Sequence, residues 1–292
     1  MTGGPTAAQW LEGARPRTLP AALAPVLVGS GAAAAADGFA PGRALLALVV
    51  ALALQVGVNY ANDYSDGVRG TDADRVGPLR LVGSGTAPAA SVKAAALGCF
   101  GLAALAGLVL AVLTTLWLLP LGAVMIAAAW GYTGGTSPYG YRGFGEVSVF
   151  VFFGLVAVLG TTYVQAERLT WPALAGGVAC GALACAILVT NNLRDRPGDE
   201  QSGKRTLAVV LGDQRTRLLY PGLVATAFVV PLLLVPVAPW ALLALLAAPL
   251  ALGPVAMVQR GVAGRDLVPV LRDTGKVQLA YAVLLTAGLA LG

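Results

Sequence analysis

Two clusters of carboxylate and amide side chains are the part of the sequence best suited to chemistry. They occur in the segments NYANDYSDGVRGTDAD and TNNLRDRPGDEQSGKRT. Each contains one amide and two carboxylates at steps of three or four residues: Asn59, Asp63 and Asp66 in the first, and Asn191, Asp195 and Asp199 in the second. Such steps place side chains on one face of a helix, so each cluster predicts a polar stripe at a helix end. Pro197 and Gly198 leave open whether the second helix continues to Asp199.

The composition of these clusters indicates a site for a hard divalent cation. Two like charges about 4 Å apart repel by about 4 kcal/mol at an effective dielectric constant near 20, so carboxylates that meet need positive charge. Oxygen ligands without His or Cys favour Mg²⁺, which keeps waters and bridges a few carboxylates to a phosphate. Neighbouring basic residues could supply the further charge that a diphosphate requires. They are Arg69, Arg75, Arg80, Arg194, Lys204 and Arg205.

The composition of the whole chain predicts that membrane-spanning helices position these clusters. Of the 292 residues, 57% are apolar and only 11% are charged, and the mean hydropathy is +0.77. A soluble protein has about a quarter of its residues charged. The chain contains no His, which excludes haem ligation, His-based zinc sites and Ser-His or Cys-His catalysis. Its three Cys match no metal motif and exclude a disulfide scaffold.

Hydropathy predicts an all-α, polytopic membrane protein with nine transmembrane helices. A helix needs about 20 mostly apolar residues to cross a bilayer. Such runs occur at about 19–36, 43–61, 91–113, 116–134, 147–165, 171–192, 216–235, 239–258 and 275–292. The two clusters follow the second and sixth helices, which are four apart. This spacing predicts one domain over 1–292, built from two four-helix units plus a ninth helix, in which the clusters meet.

The basic residues predict how the helices are oriented. Of the 19 Lys and Arg residues, all except Arg43 and Arg168 fall on the same side as the N-terminus in this topology. Basic residues stay on the cytoplasmic side, so we expect a cytoplasmic N-terminus and cytoplasmic clusters in the inner or plasma membrane of the cell. The same bias explains the net charge of +5 without a nucleic-acid partner.

The two clusters resemble the aspartate-rich motifs of the UbiA superfamily of intramembrane prenyltransferases. NDYSDGVRGTD is similar to the first motif and NNLRDRPGDEQSGKRTL to the second. ARPRTLPAALAPVLVGS, GPLRLVGSG and YTGGTSPYGYRGFGEVSVFVFFG resemble the branch that prenylates 1,4-dihydroxy-2-naphthoate in menaquinone (vitamin K2) biosynthesis. The resemblance covers about 10–215 and, more loosely, the rest of the chain. It implies nine transmembrane helices, a cytoplasm-facing pocket capped by the loops after helices two and six, and a lateral opening for an isoprenoid tail.

The resemblance implies a Mg²⁺-dependent transfer from a polyprenyl diphosphate to an aromatic acceptor. The implied Mg²⁺ ligands are Asp63, Asp66, Asp195 and Asp199. The implied diphosphate contacts are Asn59, Asn62, Asn191, Arg69, Arg75, Arg194 and Lys204. Some members of the family carry a basic residue soon after the tyrosine that ends the fourth helix. Here the first base after Tyr132 is Arg142, which becomes a candidate for that contact.

Further residues are candidates for the steps that follow ionisation of the donor. Aromatic faces stabilise an allylic cation away from water, although each aromatic residue could equally serve packing. The candidates are Tyr132, Tyr139 and Tyr141. A dihydroxynaphthoate ring would attack through its carboxyl-bearing carbon and then lose CO₂, with Asp72 as a catalytic base or as a third metal or water contact. Arg15 and Arg17 could face the acceptor carboxylate or serve only as topology signals.

Other functions remain open at this point. The acceptor could instead be 4-hydroxybenzoate, homogentisate or a sugar phosphate. A transporter with internal repeats is expected to place ionisable residues near the middle of the membrane, whereas these charges cluster at helix ends. A scaffold gives no reason for two matched stripes. The sequence indicates no oligomeric state and no tail length.

Overall fold

The chain folds as an all-helical bundle, which confirms the predicted fold class. The computed structural model describes residues 4–70 and 79–292, and no strand occurs within these ranges. The helices are α1 (Ala7–Gly13), α2 (Pro20–Ala34), α3 (Pro41–Arg69), α4 (Ala89–Leu113), α5 (Leu118–Gly131), α6 (Gly145–Ala166), α7 (Trp171–Gln201), α8 (Leu207–Leu234), α9 (Pro239–Gln259) and α10 (Val268–Ala290). Three short 3₁₀ turns lie at Pro16–Thr18, Tyr139–Arg142 and Gly264–Leu267, and the first part of α9, Pro239–Ala247, is also 3₁₀.

Six helices of the described chain are long and apolar enough to cross a membrane: α3, α4, α6, α7, α8 and α9. The apolar helices α2 and α5 are shorter, with 15 and 14 residues. Helix α10 has 23 residues but carries Arg272, Asp273 and Lys276 in its first half. These helices support a multi-pass membrane protein, whereas the count of nine spans and the two four-helix units stay predictions.

The two helices that carry the acidic stripes continue beyond the ends that hydropathy predicts. Helix α3 extends to Arg69, where Gly70 adopts the left-handed conformation (φ 72°) that ends many helices. Helix α7 runs through Pro197 and Gly198 to Gln201. Hydropathy marks only the apolar part of each helix, because backbone hydrogen bonding does not stop where charged side chains begin. Both stripes therefore lie on continuous helices.

Helix α7 is the central element of the bundle. Of the residues in its apolar 18-residue stretch, 78% are buried inside the protein. Small residues allow α6 to approach it closely, since a Cβ added to Gly154 would lie 2.5 Å from the Cα of Gly181. Small residues at helix contacts are typical of membrane bundles. This contact fixes where α7 places its polar stripe.

Helix α6 contains a π-helical segment, Phe150–Val156, in its first half. Such segments are rare in proteins, and those that do occur are often found at functional sites. Phe152, Phe153 and Val156 line a large cavity inside the bundle.

Candidate functional site

The cavity has a volume of about 1560 Å³ and lies mainly among α2, α3, α5, α6 and α7. One end, here called the aspartate end, contains Asp66, Asp195 and Asp199. From there the cavity continues to Ala47, near the start of α3. Asp66 and Ala47 are 19 residues apart on one helix, which corresponds to about 28 Å. The cavity therefore extends over nearly the thickness of a hydrocarbon core, about 30 Å.

Apolar side chains line the part of the cavity away from the aspartate end, here called the tunnel. They include Leu110, Leu118, Leu121, Gly122, Met125 and Val164. An apolar cavity with a few polar groups at one end is typical of a site that orients a ligand by its polar head. The tunnel fits an extended hydrocarbon chain.

Asp66 is the centre of the charged contacts at the aspartate end. It is buried, and its carboxylate lies 3.5 Å from the guanidinium of Arg80 and 3.5 Å from the ammonium of Lys204. The hydroxyl of Tyr141 donates a hydrogen bond to the same carboxylate. Lys204 also lies 4.5 Å from the centre of the Tyr141 ring, in cation–π contact. The two basic groups supply positive charge beside the carboxylate, as a site for an anionic ligand requires.

Asp195 has a corresponding basic partner on its own helix. Arg194 donates to both oxygens of Asp195 at 2.7 Å and to the amide oxygen of Asn191 at 2.8 Å. Asp199 lines the cavity one turn further along α7, and its backbone carbonyl accepts from the Lys204 amide at 2.8 Å. The structure thus brings the carboxylates of the second stripe to the same end as Asp66.

The two stripes match in a different register from the one predicted. Along α3 and the glycine that caps it, the residues that line the cavity at steps of four are Asn62, Asp66 and Gly70. Along α7 they are Asn191, Asp195 and Asp199. The spacing is the same in both helices, and Gly70 stands where the second helix has its third polar residue. Asn62 is held in place by the hydroxyl of Thr133, which donates to its side-chain oxygen at 2.6 Å.

Asp63 lies outside the carboxylate group that the sequence predicts, and this corrects its assignment. Its two oxygens accept hydrogen bonds from the backbone N–H groups of Leu81 at 2.7 Å and Val82 at 3.0 Å. The side chain is 1% exposed and does not line the cavity. Asp63 therefore anchors the segment that carries Arg80, rather than joining Asp66 as a metal ligand.

Three predicted diphosphate contacts also have other partners in the structure. Asn59 lines the cavity, but its amide donates to Ala14 and Thr18 in the N-terminal segment. The guanidinium of Arg69 donates to the carbonyls of Thr133 and Gly135, so it ties the end of α3 to the loop that follows α5. Arg142 is exposed, donates to Ser137 and lies outside the cavity. These residues therefore have structural contacts in this structure, and their contact with a diphosphate stays a prediction.

The three candidate tyrosines all line the cavity. The rings of Tyr132 and Tyr139 meet edge to face with their centres 5.5 Å apart, and the Tyr139 hydroxyl donates to the carbonyl of Ala128 at 2.8 Å. Burial raises the pKa of the Tyr139 phenol, so this residue stays a neutral hydrogen-bond donor. Tyr141 differs because it contacts Asp66 and Lys204 at the charged end.

Arg15 and Arg17 line the cavity as well, whereas Asp72 and Arg75 lie outside the described residues. Two residues of the site were not predicted as such, since Thr133 belongs to no motif and Arg80 was expected only as a neighbouring base. The sequence could have indicated Arg80 as a site residue, because it lies shortly after the first cluster. Thr133 had no such signal, because an isolated hydroxyl in a Gly-rich loop is unremarkable in sequence.

The donors at the aspartate end fit a magnesium ion that is shared with a phosphate ligand. Within 4–70 and 79–292, no three Asp, Glu, Cys or His side chains lie close enough to hold a metal by themselves. Mg²⁺ in phosphate sites uses one or two carboxylates, waters and the substrate's own oxygens. Asp66, Asp195 and Asp199, with the amide oxygens of Asn62 and Asn191, supply oxygen donors only.

Fold and site together define a class of protein. A bundle with several membrane-spanning helices encloses an apolar tunnel that ends in carboxylates, amides and basic side chains. This is the architecture expected of a membrane enzyme that acts on an amphiphilic substrate with an anionic head.

Comparison with known proteins identifies the family. The model of the UbiA prenyltransferase family matches 22–290, and the chain belongs to this family. It is 59% identical over 285 residues to the 1,4-dihydroxy-2-naphthoate octaprenyltransferase of Mycobacterium tuberculosis, covering 98% of both chains. It is 40% identical to the enzyme of the same name from Escherichia coli, covering 97% of this chain and 95% of the relative.

Solved structures show the same fold. A UbiA homologue from Archaeoglobus fulgidus bound to GPP and Mg²⁺ matches with a TM-score of 0.66 and 14% identity, covering 97% of this chain and 99% of that one. At this identity the likeness concerns the fold.

Proposed function

We propose that this protein transfers a polyprenyl group from polyprenyl diphosphate to 1,4-dihydroxy-2-naphthoate, with loss of CO₂ and diphosphate, to give demethylmenaquinol for menaquinone biosynthesis. The observation that carries the proposal is the cavity itself, which joins a membrane-length tunnel to a charged end with oxygen donors and bases. The full-length relatives named for this reaction favour 1,4-dihydroxy-2-naphthoate as the acceptor.

The donor binds with its tail in the tunnel and its diphosphate at the aspartate end. Asp66, Asp195 and Asp199, with Asn62 and Asn191, would hold one or two Mg²⁺ ions there. The Archaeoglobus fulgidus UbiA homologue bound to GPP and Mg²⁺ supports a divalent metal at this fold's diphosphate site. When bound, Mg²⁺ supplies positive charge that stabilises the leaving diphosphate. The mechanism is thus one of positioning and electrostatics.

The basic residues contact the carboxylates in this structure and the diphosphate during the reaction. Lys204 and Arg80 now contact Asp66, and Arg194 contacts Asp195. With the carboxylates holding Mg²⁺, Lys204, Arg80 and Arg194 would turn to the phosphate oxygens. Arginine pairs bidentately with phosphate as it does with carboxylate.

Around the reacting carbon the protein excludes water and presents aromatic faces. Tyr132, Tyr139 and Phe152 line the cavity. They shelter the allylic carbon as its bond to the diphosphate oxygen breaks. The ring carbon that bears the carboxylate forms the new carbon–carbon bond. The bond to the carboxylate then breaks, and its electron pair restores aromaticity as CO₂ leaves.

The remaining assignments of this proposal concern the proton and the topology. Asp72 is proposed as the base that takes a phenolic proton during attack and returns it to the ring oxygen as CO₂ leaves, so that the quinol product keeps both hydroxyls. The chain is proposed to cross the cell membrane nine times as a single domain, as two four-helix units plus a ninth helix. The positive-inside bias supports an N-terminus and aspartate end in the cytoplasm.

One incubation tests the function. Membranes that contain the expressed protein receive Mg²⁺, a labelled polyprenyl diphosphate and, separately, 1,4-dihydroxy-2-naphthoate, 4-hydroxybenzoate or homogentisate. We expect a prenylated product, identified by mass, only with the naphthoate. Transfer to another acceptor instead would reassign the substrate. Solute flux through protein-containing liposomes without any transfer would favour a transporter.

A further inference from the structure

Within the part of the chain that the structure describes, one edge of the Arg15 guanidinium has no hydrogen-bond partner. Its Nε and Nη2 atoms are buried and have no hydrogen-bond acceptor among the described residues, although Arg15 lines the cavity. Leaving buried donors unpaired costs free energy, more so when the group is charged. We infer that Arg15 binds the carboxylate of the aromatic acceptor through this edge. The inference rests on the proposed function for the identity of that acceptor.

Other arginines of the chain show what this edge binds. The Nε and Nη2 atoms of Arg194, Arg217 and Arg272 each hold the two oxygens of one carboxylate, at distances from 2.6 to 3.1 Å. Their partners are Asp195, Asp213 and Asp273. The geometry is the bidentate fork of a guanidinium and a planar carboxylate. Arg15 has the same two donors, and no acceptor for them lies among the described residues.

The backbone of Arg15 is held in an unusual conformation. Its φ is 54°, in the left-handed region that non-glycine residues rarely adopt. The carbonyl of Arg15 accepts from both the backbone N–H and the hydroxyl of Thr18, each at 2.9 Å. Strained residues that surrounding contacts enforce are concentrated at functional sites.

Two amides of α3 complete this support. Asn59 donates to the Thr18 hydroxyl oxygen at 3.0 Å and to the Ala14 carbonyl at 2.9 Å, and Gln55 donates to the same hydroxyl at 3.1 Å. The turn that carries Arg15 is therefore fixed to α3 by hydrogen bonds on both sides of the residue. This contact explains why Asn59 has a polar side chain without assigning it to the diphosphate.

The position of this turn indicates that Arg15 binds the acceptor and not the diphosphate. Asn59 and Gln55 precede Asp66 by seven and eleven residues on α3, about 10 and 16 Å along the helix axis. Asp66 has Arg80 and Lys204 beside it. A separate carboxylate site would hold the acceptor ring between the diphosphate bases and Arg15, facing the allylic carbon.

Kinetics of Arg15→Lys, which keeps the charge but removes the fork, test the inference. Arg215→Lys is the matched control, because Arg215 is exposed on α8 and lies outside the cavity. We expect Arg15→Lys to raise the KM for 1,4-dihydroxy-2-naphthoate at least tenfold and to leave the KM for the prenyl diphosphate within twofold. A raised KM for the prenyl diphosphate with an unchanged KM for the acceptor would overturn the inference.

A binding measurement separates this inference from the proposed function. Purified protein in detergent is titrated with 1-hydroxy-2-naphthoate and with 1-naphthol, which lacks the carboxylate. We expect the folded wild type to prefer the carboxylate at least tenfold, and Arg15→Lys and Arg15→Gln, checked by thermal unfolding, to lose that preference. If this pattern holds while dihydroxynaphthoate is not prenylated, the proposed function fails and the carboxylate site stands. Equal preference in wild type and both folded variants refutes the site.

Discussion

Separate replacement of Asp66 and Asp63 by Asn should have two different consequences. Asp66 lines the cavity between the bases of Arg80 and Lys204. Asp66→Asn removes a negative charge where we propose that magnesium diphosphate binds. We expect kcat to fall about 100- to 1000-fold, the loss typical of one preorganised electrostatic group. The Mg²⁺ concentration for half-maximal activity should rise.

Asp63→Asn should instead destabilise the loop after α3. Two backbone N–H groups, those of Leu81 and Val82, donate to separate oxygens of Asp63. An asparagine offers only one oxygen, so one buried donor loses its acceptor. An unpaired buried donor costs about 1–3 kcal/mol. The thermal unfolding midpoint should therefore fall, whereas the Mg²⁺ requirement of the folded protein should stay as in wild type.

The assay is prenyl transfer by purified variants over a range of Mg²⁺ concentrations, with thermal unfolding measured in parallel. Asp266→Asn is the control, since Asp266 is exposed in a 3₁₀ turn and lies outside the cavity. The register assigned to the first stripe is wrong if Asp63→Asn raises the Mg²⁺ requirement as much as Asp66→Asn and leaves the unfolding midpoint unchanged.

Three further predictions follow from the tunnel, the packing and the metal. Gly122 lines the tunnel with no atom within 4 Å of an added Cβ, so Gly122→Phe should lower kcat/KM for octaprenyl diphosphate relative to that for geranyl diphosphate; an unchanged ratio of the two kcat/KM values would contradict this. Gly154→Ala places a Cβ 2.5 Å from Gly181, so it should cost about 1–3 kcal/mol and lower the unfolding midpoint, whereas Gly101→Ala, with open space around it, should not. EDTA should abolish transfer and excess Mg²⁺ should restore it; transfer in metal-free buffer would contradict the proposed role of the carboxylates.

The sequence predicts the helical class and the meeting of two polar stripes, because both depend on local patterns. Apolar runs predict membrane helices wherever they are long enough. The stripes on α3 and α7 carry amides and acids at helical spacing, and the structure brings Asp66, Asp195 and Asp199 to one cavity.

The direction in which each side chain of a stripe points was harder to predict than the stripes themselves. At about 100° per residue, steps of three and four both keep a side chain near one face, so Asp63 and Asp66 were equally acceptable partners. A contact with Leu81 and Val82, 18 and 19 residues away, decides between them. The support of Arg15 by Asn59 likewise depends on contacts between distant parts of the chain, for which helical periodicity carries no signal.

The most direct test of the proposed activity follows the carboxyl carbon of the acceptor. Purified protein in liposomes receives a polyprenyl diphosphate, Mg²⁺ and 1,4-dihydroxy-2-naphthoate labelled in its carboxyl group. We predict one labelled CO₂ for each prenylated product, and neither without Mg²⁺. A prenylated product that keeps the label, or label release without prenylation, would contradict the proposed reaction.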